Sequence, residues 1–363
     1  MKLLAITNLS QEEAYQFHGF AKQGVFVEVM SPPESHYNNF LIENNIKTSP
    51  LKLKKHFDSV AQKQIREKLI TSRPDILHVF NNKALSNGLL AARGLPVNIV
   101  AYRGIEGNVS AYNPASWMTY LHPRVDRIIC VAEAVRQSFL SIRLPGWRFP
   151  PHKAVTIYKG HDLSWYTEPK VDLTQFGVPE DAFVVTTVAN MRPRKGIHYF
   201  IDAMSHLPKN LSERIHFLIV GKMDEKALRP AMHKLGEKAS RIHLTGFRKD
   251  AAAISGSSDV YVLPSIKREG LPKTVIEAMA YGVPPIVTHT GGSPELVEKG
   301  KSGIIVQAGD SKAIAHAIQY LFENKKIRIR MGVEARKRLH ERFHVNQTIR
   351  ETLELYREVL SGG

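Results

Sequence analysis

At 363 residues, with 43% hydrophobic and 23% charged side chains, the chain is long enough for two domains and ordinary enough in composition to exclude disordered and fibrous classes. Its longest apolar runs, such as FVVTTVA and GIIVQA, fall far short of the ~20 residues a membrane-spanning helix needs, and the single cysteine, Cys130, makes no internal disulfide. Fifty basic against thirty-four acidic residues give a net charge of +16; no nucleic-acid motif accompanies it, so nucleic acid is not expected as a partner and an anionic surface or substrate is.

The opening MKLLAITNLS is too short in apolar residues for a secretory signal and reads as a first buried strand, with the cytoplasm as the default location. After it, β-branched runs alternate with helix-length segments. KLLAIT, VFVEVM, DILHVF, VNIVAY, DRIICVA and KAVTIY fill the first half, and FVVTTVA, HFLIVG, RIHLTG, DVYVLP, PPIVTH and GIIV the second. Such apolar strands predict two Rossmann-like domains, each built on a parallel sheet covered on both faces. The spacing places the first over 1–165 and the second over 166–340, joined through turn formers and charges between 158 and 181. Residues 341–363 continue a basic, proline-free helical tail that either covers the second domain or crosses back to the first.

Between Lys52 and Arg73 seven basic residues face two acidic ones, Asp58 and Glu67. Apolar residues interleave at helical spacing, so the segment is either a solvated helix face or a peripheral contact with an anionic membrane. Further on, VANMRPRKG precedes a stripe of Ile197, Phe200, Ile201 and Met204, and cations on a loop before such a helix suit a diphosphate leaving group. In REGLPKTVIEAMAYG, Glu269 precedes a turn and Glu277 lies on the helix that follows. Pro272 suits the first helical position, and Gly282 suits the end. The amides of Gly270, Leu271 and Lys273 then lie at a helix N-terminus, which attracts anions. Taken alone, each glutamate is equally a dipole-stabilising residue.

The stretch 262–306, VLPSIKREGLPKTVIEAMAYGVPPIVTHTGGSPELVEKGKSGIIV, resembles the signature of the retaining glycosyltransferases of family 4, glycosyl transferases group 1. That resemblance implies the GT-B architecture, two Rossmann-like domains with parallel sheets facing a central cleft. It further implies a nucleotide-sugar donor, a glycan or glycolipid acceptor, and retaining transfer with no cofactor and no metal. Glu269 would orient the donor sugar, Glu277 the ribose, and Gly270, Leu271, Pro272 and Lys273 would frame the phosphates. Lys195 matches the family's pyrophosphate lysine. Five positions earlier, where the family often has arginine, stands Asn190, and Arg192 takes the cationic part from a shifted position. Arg194 is expected to face solvent.

The first half matches more loosely. Arg103 replaces a frequent cleft histidine, and either binds an anionic group or pairs with Glu106. His18, His161 and His289 remain cleft candidates. No D-x-D occurs, and no histidine, cysteine and aspartate cluster predicts a metal site. Envelope or lipopolysaccharide glycan assembly at the inner membrane face fits the basic first half. An epimerase on the same architecture and a non-catalytic nucleotide-binding protein are the alternatives.

Overall fold

The computed structural model describes residues 1–362. The chain divides into two compact units, Met1–Gly160 with the tail from Phe343, and His161–Arg342.

The first unit carries the strands β1 (Lys2–Ile6), β2 (Phe26–Ser31), β3 (Lys47–Pro50), β4 (Ile76–Val79), β5 (Asn98–Arg103), β6 (Arg127–Cys130), a hairpin of β7 (Arg143–Leu144) and β8 (Trp147–Arg148), and β9 (Ala154–Thr156). Its sheet runs β3-β2-β1-β4-β5-β6-β9, with every pair parallel. The six predicted runs all lie in it. The seventh strand, β3, reads KTSP and half faces solvent, so no apolar run marks it; an edge strand needs only one apolar flank.

The second unit carries β10 (Phe183–Val188), β11 (Ile215–Val220), β12 (Ile242–Gly246), β13 (Val260–Leu263), β14 (Pro285–Thr288) and β15 (Ile304–Val306), ordered β12-β11-β10-β13-β14-β15. β11, β13 and β14 are buried along their whole length, because helices cover both faces of a parallel sheet. Each sheet reverses its strand order once, between β1 and β4 and between β10 and β13, and ligands of such folds sit outside the carboxyl ends of the strands at that point.

The tail contains two helices in different units. Lys325–Arg342 packs on the second unit, where Gly332 lets the chain approach Gly282: a Cβ there would lie 1.9 Å from the Gly282 carbonyl oxygen. Val345–Leu360 packs on the Gln11–Lys22 helix of the first unit, with Ile349 against Gly19. Thr348 Oγ1 donates to the Tyr158 carbonyl and accepts from the Gly160 amide, and Gln16 donates to Thr352.

The basic segment differs from a single amphipathic helix. Asp58 caps a helix that begins only at Ser59, accepting from the amides of Ala61 and Lys54, so Lys52, Lys54 and Lys55 lie on the preceding loop. On the helix, Lys68 pairs with Glu28 and Arg66 donates to the carbonyls of Ala91 and Arg93. Two of the seven basic residues, Arg66 and Lys68, are thus tied into the unit itself.

His78, on β4, is fully buried with Nδ1 2.6 Å from Tyr356 Oη, while its Nε2 has no hydrogen-bond partner among the described residues. Burial pushes its pKa down to about 3. An unfolded histidine titrates near 6.5, so between these values the unfolded chain holds a proton the folded chain lacks. Stability is therefore complete above roughly pH 6.5 and falls toward pH 3, by on the order of 1 kcal/mol per pH unit for this one group. Unfolding curves of wild type and His78→Gln from pH 7 to 4 should converge or cross as pH falls; a constant difference would contradict the assignment.

Candidate active site at the strand reversal of the second unit

Three loops meet at the carboxyl ends of β10, β13 and β14. The first, Ala189–Gly196, ends in a short turn over Pro193–Lys195 that Gly196 closes at φ +65 before the Ile197–His206 helix. The second runs from Pro264 to Pro272 and feeds the Lys273–Ala280 helix. The third, after β14, passes through Gly291 at φ +49. These glycines allow the loops to touch. A Cβ on Gly196 would stand 2.0 Å from the Pro264 carbonyl oxygen, and one on Gly291 would stand 2.1 Å from that of Glu269. The Ile266 amide donates to the Arg194 carbonyl, tying the first two loops together.

Glu269 is the point on which the loops converge. It is 5% exposed. Its Oε1 accepts from Lys195 Nζ at 2.7 Å and from Ser265 Oγ at 2.6 Å, and the Arg194 guanidinium lies 3.7 Å away. The Ser265 carbonyl accepts from Thr288 Oγ1 at 2.5 Å, which anchors this side chain's support to β14. Glu269 is thus a buried carboxylate matched by two cations, an arrangement that holds only because both partners stay in place.

Glu277 lies one turn into the helix, its side chain 15% exposed and 3.9 Å from Lys273 Nζ. Beneath the helix start, Tyr261 Oη donates to Thr274 Oγ1 at 2.7 Å. Burial pushes the Tyr261 phenol well up, and the nearby Glu277 and Glu269 charges add to it, so both acids lie within electrostatic reach of one hydroxyl. Pro272 caps the helix rather than opening it: its carbonyl accepts from the amides of Val275 and Ile276. Gly270 is buried against the loop and Leu271 half-buried.

The structure brings together Lys195, Glu269, Gly270, Leu271, Pro272, Lys273 and Glu277. It leaves Arg192 and Asn190 on the exposed stretch of the first loop, where neither side chain has a partner among the described residues. Arg194 is a correction. Rather than facing solvent, it donates to the Arg268 carbonyl at 3.0 Å and flanks Glu269, because the turn at Pro193 points residue 194 inward along with Lys195. Arg268 itself adopts φ +59. Ser265 and Gly196 were the other site residues unassigned from sequence; the P-S of VLPS and the G of PRKG carried them.

Arg103 lies in the first unit, 4% exposed. It donates to the Ile105 and Gly107 carbonyls and to Asn82 Oδ1, and stacks over Tyr120. An ion pair with Glu106 is not among its contacts: the β5 end turns sharply, so backbone carbonyls reach the guanidinium first. Nearby, Lys159 pairs with Glu13 at 2.8 Å. Burial pushes the Glu13 carboxyl up, yet the Lys159 charge and the hydrogen bonds from Lys159, Thr7 and Ser10 bring it below the usual carboxylate range. His161 bonds Tyr166, His18 packs on Phe40, and His289 is exposed. Burial pushes the Cys130 thiol up to about 12. Among the described residues, no group of three or more histidine, cysteine, aspartate or glutamate side chains is placed to hold a metal, and no helix is long and apolar enough to cross a membrane.

Residues 171–338 match the family model for glycosyl transferases group 1, and residues 16–165 match that for glycosyltransferase family 4. A curated relative, the UDP-Gal:alpha-D-GlcNAc-diphosphoundecaprenol alpha-1,3-galactosyltransferase of Escherichia coli, is 26% identical over 78% of this chain and 75% of its own length. The capsular polysaccharide biosynthesis glycosyltransferase CapM of Staphylococcus aureus is 30% identical over 48% of this chain and 45% of its own. The chain spans about half the length of most curated relatives it matches. Among solved structures, a glycosyltransferase from Rickettsia africae superposes with a TM-score of 0.81 at 19% identity, covering 100% of this chain and 99% of that one. At that identity the likeness shows the fold.

Proposed function

The chain belongs to the family-4 glycosyltransferases of group 1, each half matching one of the family's models, and on that premise we propose that it moves a sugar from a nucleotide-sugar donor to a hydroxyl of a lipid-linked envelope glycan, with retention and without metal. One observation carries this reading: the Lys195–Glu269 pair stands at the strand reversal, beside the N-terminus of the helix that holds Glu277.

In the proposed reaction the helix N-terminus and Lys195 receive the pyrophosphate. One ammonium hydrogen holds Glu269, which leaves two for phosphate oxygens. Glu269 orients the donor sugar through its second oxygen, and Glu277 accepts from the ribose diol. The bond from the anomeric carbon to the phosphate oxygen breaks with its electron pair passing to the phosphate. The acceptor oxygen then bonds to the same face of the anomeric carbon, and its proton passes to the departing phosphate. Lys195, with Arg194 behind Glu269, balances the charge that grows on the leaving group. The relative from Escherichia coli named above acts, by its name, on a diphosphoundecaprenol-linked sugar, which supports a lipid-linked acceptor.

The anomeric coupling of the product in proton NMR tests the stereochemistry: a product of the donor's own configuration is expected, and the opposite anomer overturns retention. Activity should survive excess EDTA unchanged; complete loss, restored by magnesium or manganese, would show that a metal is required.

Peripheral binding to an anionic membrane at the inner face belongs to the same proposal and rests on the exposed loop carrying Lys54 and Lys55. Vesicles containing phosphatidylserine should retain the protein at low salt and release it as salt rises, with Lys54→Glu/Lys55→Glu weakening retention severalfold. Equal binding to neutral vesicles would contradict an electrostatic contact.

A further inference from the structure

The Lys325–Arg342 helix has no part in the donor chemistry, yet it carries eight basic residues against two acidic ones. They do not all act as a solvated face. Lys325, Lys326 and Arg330 face solvent, whereas three other arginines reach backbone carbonyls. Arg328 Nη1 donates to the Leu321 carbonyl in the preceding helix. Arg336 Nη1 donates to the Ala280 carbonyl at 2.6 Å. Arg338 donates through Nε to the Leu296 carbonyl at 2.8 Å and through Nη2 to that of Glu295 at 3.0 Å. A guanidinium fork can hold two carbonyls at once, which a lysine ammonium does less rigidly.

The carbonyls taken by Arg336 and Arg338 end two helices of the candidate site. Ala280 closes the Lys273–Ala280 helix and lies three residues after Glu277, within one turn of it. Every helix leaves its last four carbonyls without intrahelical partners. Here those of Glu277, Ala278 and Met279 accept from the amides of Tyr281, Val283 and Gly282. The fourth is that of Ala280, and Arg336 takes it. Gly332, four residues before Arg336 and so on the same face, brings the two helices together at Gly282. The other helix, Ser293–Leu296, begins two residues after Gly291, which packs on the Glu269 backbone. Arg338 holds its last two carbonyls.

A helix of eight residues is about 12 Å long and shifts as one piece, so a fixed carbonyl end also fixes Glu277 and the amides at the opposite end. We propose that the Lys325–Arg342 helix positions the donor site: Arg336 sets the helix that carries Glu277, and Arg338 sets the loop on which Glu269 rests. Neither touches the donor; both are positioning residues, and the proposal rests on the donor-site reading above.

UDP, GDP and ADP are the probes, with calorimetry as the readout and turnover measured beside it. Arg336→Met, close in length but without a donor, should weaken the diphosphate that wild type binds by about tenfold. Arg336→Lys, which keeps a donor, should recover most of that loss. Added to Glu277→Gln, Arg336→Met should weaken binding at least threefold less than it does alone, because one contact it serves is already gone. Arg338→Met should instead lower kcat by about tenfold and leave diphosphate affinity within twofold. Arg330→Met, on the solvent face, should change neither. Circular dichroism at the assay temperature checks folding, and Arg336→Gln, two bonds shorter, carries the comparison if Arg336→Met does not fold. A loss that Arg336→Lys shares in full, or that is the same size with and without the Glu277 carboxylate, would make Arg336 a stabilising residue only and overturn the proposal. Wild-type affinity in Arg336→Met overturns it too and leaves the donor site standing. Wild type binding none of the three probes removes the donor reading, and the positioning role with it.

Discussion

Lys195→Ala is expected to lower kcat by about 10²–10³-fold, the range found when a preorganised donor to a developing charge is removed. The interaction strengthens as the phosphate gains charge, so kcat should fall more than the donor KM rises. Lys195 also neutralises Glu269, which is 5% exposed, so the variant should lose stability too, by roughly 1–3 kcal/mol, less than an unaccompanied buried charge costs, because Arg194 stays 3.7 Å away. The two effects separate in a double variant. Glu269→Gln added to Lys195→Ala removes the uncompensated carboxylate and should restore most of the stability while the rate stays low. Near-wild-type kcat in folded Lys195→Ala would show that this lysine does not meet the leaving group. Glu277→Gln provides the contrast: a ribose contact is the same in the ground and transition states, so the change should appear mainly in the donor KM.

Gly291→Ala should cut turnover by about 10²-fold without touching any group that meets the donor. A methyl there stands 2.1 Å from the Glu269 carbonyl oxygen, at a φ of +49, so the backbone that positions Glu269 must move. Displacements of about 1 Å at a reacting centre carry losses of this size. Gly300→Ala is the control: its φ is +76, yet nothing lies within 4 Å of the added carbon. It should cost about 1 kcal/mol of stability from backbone conformation alone and leave turnover intact. Turnover of Gly291→Ala within twofold of wild type would mean that Glu269 does not need its present position.

Much of this architecture was legible in the residues because buried parallel strands must be apolar along their whole length, and VYVL and IHFLIV leave little else to be. The polar edge strand KTSP was not, since its pairing to β2 comes from its neighbour and not from its own side chains. In the site, the order of Glu269, the turn and Glu277 follows from spacing, because helix periodicity fixes where the second acid points. The inward turn of Arg194 did not follow: in RPRK three cations compete for one direction, and only the three-residue turn Pro193–Lys195 decides which ones face Glu269. That the last helix packs on the first unit was one of two readings of the tail, and pattern alone could not choose between them: the pause at Phe343–His344 contains neither glycine nor proline and shows itself only through the His344 side chain capping the Asn346 amide.

The central claim is that the loops converging on Glu269 form a nucleotide-sugar diphosphate site. The most direct measurement is the thermal unfolding midpoint of the pure protein against a panel of nucleoside diphosphate sugars, run in parallel on Lys195→Ala and Glu277→Gln. A donor at 100 times its dissociation constant should stabilise wild type by about 2.7 kcal/mol, a shift of several degrees, and both variants should show a smaller shift at the same concentration. No shift with any donor, or one undiminished in both variants, would contradict the account.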